Sequence, residues 1–207
     1  MARVQPGIMG AVSGKVGNVI GSSWKGIPYL KAAHSPRTKK ISAKEKANRQ
    51  KFKAAHEWLS PLIEFLRQGF KGYTPTVEGF IAAKSYLLKN AIDANGKVDP
   101  ALAKVSFGSL SNSDNIKVKS TQDGHLQFTW DTTPVKEGYG RDQIMLLAYD
   151  IKNGNAFLTV AGEFRESGSA ILEPFFKKGT SCHVYISFVA HDRSRQSDSV
   201  YLGEVWF

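Results

Sequence analysis

QIMLLAYDIKNGNAFLTVA, residues 143–161, is the run that sets the architecture of this chain. Residues 143–150 and 156–161 read as strands that alternate apolar and polar positions wholly or in part, and Asn153-Gly154 between them is the dipeptide that tolerates the positive φ angles of a tight hairpin turn. The same grammar recurs on either side. Residues 105–110, 115–120, 125–130, 169–173, 182–190 and 198–206 alternate apolar and polar positions wholly or in part, and Asp123-Gly124 marks a second hairpin turn. Seven or eight short strands over about a hundred residues predict an immunoglobulin-like or fibronectin-like β-sandwich over 99–207. Trp130 and Tyr185 are its expected core aromatics, and the apolar end Val205-Trp206-Phe207 is expected to pair as a final strand. The cysteine pair of antibody domains is missing, because Cys182 is the single cysteine.

Before Asn95-Gly96 and Asp99-Pro100 the period changes from two to three or four. Ser42-Ala43-Lys44-Glu45 has capping-box spacing, so a helix should begin near residue 43. Phe52, Ala55, Leu59, Leu62 and Leu66 then form one apolar stripe, which Pro61 should kink or restart. A second helix is expected from behind Thr74-Pro75 to about Ala91, packed through Val77, Phe80, Ile81, Tyr86, Leu87, Leu88 and Ala91, with Gly79 as a weak point. Trp58, Phe65 and Phe70 are expected in the core. The fold class is therefore α+β. Residues 1–98 form a basic, glycine-rich hairpin and helical pair, and 99–207 form the all-β sandwich.

The first forty residues raise a different question. Gly14-Lys15 suggests a phosphate loop, but Met9 stands where the Walker pattern needs glycine and Val16 where it needs Ser or Thr. Glycines at 7, 10, 14, 17 and 21 also miss the dinucleotide fingerprint, and each would cost a helix about 1 kcal/mol. Extended chain remains. Val16, Val19, Ile20, Trp24, Ile27, Tyr29 and Leu30 predict a hairpin of 16–24 with 27–33, turning at Lys25-Gly26. Glycine- and serine-rich strands are weakly held in register, which suits a segment ordered by a partner.

Charge is concentrated in the same region. Residues 1–60 hold twelve Lys and Arg against Glu45 and Glu57, a net +10, while the remaining 147 residues balance at sixteen of each sign. Such asymmetry concerns partners more than fold. Lys15, Lys25, Lys31, Arg37, Lys39, Lys40, Lys44 and Arg49 are the candidate contacts to a partner or polyanion, and Gly17, Asn18, Gly21, Trp24 and Gly26 the candidate docking residues of the hairpin. A basic patch would bind phosphate backbones without reading sequence. No zinc-finger, RNP or KH signature accompanies it.

Gly14-Lys15-Val16-Gly17-Asn18-Val19-Ile20-Gly21, Trp24-Lys25-Gly26, Ser35-Pro36-Arg37-Thr38 and Asn48-Arg49-Gln50-Lys51-Phe52 together resemble a domain-of-unknown-function family common in Bacteroidota and in elements resident in their genomes. The likeness is strong to about residue 92 and looser beyond, where Asp198-Ser199-Val200-Tyr201-Leu202-Gly203 carries it. It brings no known activity and no functional residue.

Catalytic patterns are weak. His34, His56, His125, His183 and His191 sit in no metal-binding spacing, and adjacent Cys182 and His183 would face opposite ways on a strand. No cofactor is expected. The loops 111–114, 131–142 and 191–197, notably Tyr139-Gly140-Arg141 and Asp192-Arg193-Ser194-Arg195, are candidate contact surfaces. With no signal peptide or membrane-spanning run, the expectation is a protein made in the cytoplasm and not inserted in a membrane, whose final location, an assembled particle included, stays open. The favoured function is non-enzymatic structural or adaptor work in a larger assembly, with a protein partner or self-association through the basic hairpin. Sequence-independent nucleic-acid binding is the alternative, and a carbohydrate or cell-surface module a further one.

Overall fold

A computed structural model describes residues 2–3, 11–36, 38, 40–74, 77–121, 123–132 and 141–207. The chain divides into two compact units, Met1–Ser42 and Ala43–Phe207. The first is a four-stranded antiparallel sheet of β1 (Ala2–Arg3), β2 (Gly14–Val16), β3 (Val19–Trp24) and β4 (Ile27–Ala32), in the order β1-β4-β3-β2. The second opens with α1 (Ala43–Leu59), passes through a 3₁₀ turn over Ser60–Leu62 that contains Pro61, and continues as α2 (Ile63–Gly69) and α3 (Gly79–Asn90). β5 (Lys117–Ser120), β6 (Leu126–Thr129) and β9 (Ser169–Leu172) form a three-stranded sheet. β7 (Gln143–Asp150), β8 (Asn155–Thr159), β10 (Ser181–Val189) and β11 (Val200–Trp206) form a four-stranded sheet in the order β11-β10-β7-β8. The pairings between these strands are all antiparallel, and the class is α+β with β predominating. No helix among the described residues is long and apolar enough to cross a membrane.

Strand β7 explains how the body is layered. Side chains alternate across a strand, so a sheet covered on one face reads apolar-polar, whereas one covered on both reads as an unbroken apolar run. Residues Ile144 to Tyr149 are all apolar and all buried. Ile144, Leu146 and Ala148 join a cluster with Leu126, Phe128, Ala170 and Leu172 of the three-stranded sheet. Met145, Leu147 and Tyr149 join another with Leu59, Leu62, Phe65, Leu66 and Leu87 of the helices. β10 does the same, sending Cys182, Val184, Ile186 and Phe188 one way and Tyr185 and Val189 the other. The helices therefore group with the β body, although the change of texture near residue 98 suggests a boundary there. Truncating Leu147 to Ala should cost about 3 kcal/mol, measurable by chemical denaturation, since its side chain is fully buried within the helix-facing cluster.

Local expectations fare unevenly. α1 begins at Ala43, and Ala55, Leu59, Leu62 and Leu66 are fully buried, but Phe52 of the same stripe is 49% exposed. The second expected helix, α3, starts at Gly79, later than expected; Leu87 on it and Ala91 just past its end pack inward, whereas Val77 ahead of it and Ile81 on it are exposed and Ala82 and Ala83 take the buried face. Small residues win there because the helices approach closely. A Cβ on Gly79 would stand 2.4 Å from the Leu66 carbonyl oxygen, so this glycine permits the α2–α3 contact rather than weakening the helix. Pro75 lies outside the described residues. Residues 105–110 form no strand. Their polar groups bond instead to scattered segments, the Phe107 amide donating to Gly69 O and the Ser106 hydroxyl to Ser197 O at 2.7 Å. Trp58, Phe65, Phe70, Trp130 and Tyr185 are all buried, and β11 closes the four-stranded sheet against β10.

Candidate functional site

The register of the N-terminal sheet follows from two tight turns. Lys25-Gly26 joins β3 to β4 with positive φ at both residues (49° and 78°), the conformation that continues the right-handed twist of the flanking strands. Gly17-Asn18 joins β2 to β3 with φ of 56° at the glycine, so the run 16–24 contains a turn that reading it as one strand overlooks. Directly opposed residues share a face. Lys15 opposes Ile20, and Ile20 opposes Lys31, so the three lie in one row across the sheet. Alternation puts Ser22, Trp24, Ile27 and Tyr29 on that same face. The Lys25 ammonium stands 5.2 Å from the Trp24 ring centroid.

The opposite face carries Gly14, Val16, Val19, Gly21, Leu30 and Ala32. Gly21 is the one described residue of this unit that is buried, because the Val12 backbone crosses over it. A Cβ there would meet the Val12 carbonyl oxygen at 2.1 Å. Gly21→Val should therefore dislodge residues 11–13 and loosen the sheet, read as faster amide exchange over β2 and β3 with exchange in β7 unchanged. Trp24 (58% exposed), Val16 (69%), Val19 and Ile27 stand in solvent.

Of the remaining candidate cations, three are described. Lys40 is exposed ahead of α1, and Lys44 and Arg49 are exposed on it. Arg49 is ion-paired to Glu45 at 2.7 Å, one helical turn away, so its charge is partly compensated locally. Arg37 and Lys39 lie outside the described residues, as do Tyr139 and Gly140. In the 191–197 loop, Arg193 is structural: its guanidinium donates to Val160 O at 2.8 Å and to the Gln143 carboxamide oxygen. Ile27 and Tyr29 join the candidate face only through register, which the two turn dipeptides encode.

Cys182 and His183 do face opposite ways. Burial pushes the Cys182 thiol up to about 12, with Asp150 and Glu204 adding to the effect. The native thiol should therefore resist alkylation at pH 8 and react only on unfolding, a check made by timed iodoacetamide labelling. His183 lies on the other side with Nδ1 2.9 Å from the Tyr201 hydroxyl, and burial lowers its pKa from the usual 6.5 despite the opposing pull of Glu204. Below 6.5 the unfolded chain binds the proton more readily than the folded one, so stability falls as pH drops through that value. Replacing His183 by Gln should flatten this part of the stability profile, followed by denaturation between pH 5 and about 7.5.

No curated protein and no solved structure is significantly similar to the chain. The sequence model of one family spans residues 11–203, which takes in the β3–β4 hairpin, the helices and all the strands of the body but the end of β11. The chain thus belongs to DUF6266, a family of unknown function.

Proposed function

We propose that the protein is a non-enzymatic structural or adaptor component of a larger assembly and that its glycine-rich sheet is the docking element. One observation carries the reading. The Met1–Ser42 unit contains seven Lys and Arg and no acid, and its sheet presents Trp24, Ile27, Val16 and Val19 to solvent while Gly21 alone is buried among its described residues. A sheet that buries so little of itself gains its stability from what it touches. The body is the scaffold. A three-stranded sheet β5-β6-β9 sharing a core with a four-stranded sheet β11-β10-β7-β8 supports a fibronectin-like sandwich with strands A-B-E and G-F-C-C′. An assembly encoded by a phage or mobile element is the setting that the family resemblance suggests.

The test is the mass of the purified full chain in solution, by light scattering, beside the Trp24→Ser/Ile27→Ser variant. The proposal expects a complex heavier than the 22.8 kDa chain, reduced to the monomer by the variant. A wild-type mass of one chain, in its native host as well as alone, counts against it. Sequence-independent nucleic-acid binding is the second reading, supported by the row Lys15–Ile20–Lys31 lying on the face that also holds Trp24 and Tyr29. Cations beside aromatic rings suit phosphates and unstacked bases.

A further inference from the structure

The loop 191–197 meets two segments remote from it in sequence. Lys71, Tyr73, Phe107, Ser109, Arg195 and Gln196 line a cleft of about 400 Å³ within the Ala43–Phe207 unit. Gln196, 3% exposed, holds the walls together: its carboxamide nitrogen donates to Lys71 O at 2.8 Å and to Phe107 O at 2.9 Å. The fit is tight, since a Cβ on Gly108 would stand 2.0 Å from the Gln196 carbonyl oxygen. The Gln196 carboxamide oxygen accepts no hydrogen bond from any described residue.

The cleft combines three chemistries. Lys71 donates to the carbonyl of Arg193 at 2.9 Å, a neutral acceptor that leaves the ammonium charge at the rim. Arg195 adds a second cation, partly offset by Asp192, whose carboxylate is held below its usual range chiefly by the Ser194 hydroxyl at 2.6 Å and then by the Ser194 amide. Tyr73 and Phe107 form an apolar wall, edge to face at 5.0 Å, with Tyr73 39% exposed. Ser109 and Ser194 supply hydroxyl groups beside it.

We propose that this cleft binds an anionic sugar residue, a hexuronate or a hexose phosphate. The anionic group faces Lys71 and Arg195, the ring's C–H face lies on Tyr73 and Phe107, and its hydroxyls meet Ser109 and Ser194. The volume falls within the roughly 300–1,000 Å³ of small-ligand sites, at the end suited to one ring. This site is independent of the N-terminal sheet and of any docking there.

Titration calorimetry on the full chain tests it, with glucuronate, glucose 6-phosphate and neutral glucose as probes. At least one anion should bind with Kd near ~1 mM, and glucose at least about tenfold more weakly. Lys71→Met and Arg195→Met should each weaken the anion about tenfold with melting temperature unchanged, two variants guarding against loss of fold in one. Preference for glucuronate points to an acidic polysaccharide, and preference for the phosphate to a free phosphorylated sugar. The proposal is overturned if neither anion binds at about 10 mM, if glucose binds equally, or if neither substitution changes affinity.

Discussion

Replacing Arg165 by Leu is expected to cost about 3–5 kcal/mol of folding stability. Arg165 opens a 3₁₀ turn ahead of β9, and its side chain is 5% exposed beside an Asp142 side chain 4% exposed, with Nη1 3.5 Å from Oδ2. Its Nε donates to the Ser113 hydroxyl at 2.9 Å, and the guanidinium lies 4.5 Å from the Phe188 ring centroid. The main chain is tied in as well, the Arg165 amide donating to Asp142 O at 2.7 Å and the Trp130 indole N–H to Arg165 O at 2.7 Å. Burial lowers the Arg165 pKa and Asp142 opposes that shift, as desolvated partners do. The cost of the single substitution comes from removing the cation that faces a carboxylate held out of water, not from the pair's net worth. Arg165→Leu/Asp142→Leu should therefore recover more than half of the loss in urea denaturation. Additive losses, or a single-variant loss under about 1 kcal/mol, would show that the pair is not coupled in this way.

Deleting residues 1–41 should abolish assembly at every salt concentration while leaving the helix-and-sheet body folded. The division at Ser42 and Ala43 places the cut between compact units, so α1 keeps its start and both core clusters of the body stay whole. Under the docking reading the lost contacts are apolar as well as charged, because Trp24, Ile27, Val16 and Val19 leave together with Lys15 and Lys31. Apolar contacts survive salt, whereas phosphate contacts weaken steeply as salt rises. Light scattering of the truncated and full chains at about 50 mM and 500 mM salt, with anisotropy of a generic DNA duplex in parallel, separates the readings. Loss of complexes at both concentrations supports docking. Intact complexes with lost low-salt DNA binding would transfer the function of the head to nucleic acid.

Much of the architecture was legible in one dimension because its signals are local. The dipeptides Asp123-Gly124 and Asn153-Gly154 occupy hairpin turns with positive φ at each glycine, and Lys25-Gly26 turns the N-terminal sheet, since few residues adopt that backbone. Ser42 precedes a helix that starts at Ala43, and seven of the eight expected strands formed. The unbroken run Ile144 to Tyr149 also carried a signal that alternation alone conceals: a strand apolar on both faces needs a cover on each, and the helices supply the second.

By itself, then, the amino-acid order determined most of the element types, most of their turns, the basic and acid-free opening, and which face of most strands is apolar. Those properties depend on the conformational range and hydropathy of neighbouring residues. Only the tertiary structure decided that helices and sheets share a core, that Phe52 and Ile81 face solvent while Ala82 and Ala83 do not, and that Arg165 meets Asp142 and Lys71 meets Gln196. Gly21 and Gly79 show the reason most directly, because each must be glycine on account of a carbonyl from another segment, Val12 or Leu66. Such contacts join residues distant along the chain, and packing selects them by volume and approach that no local pattern records.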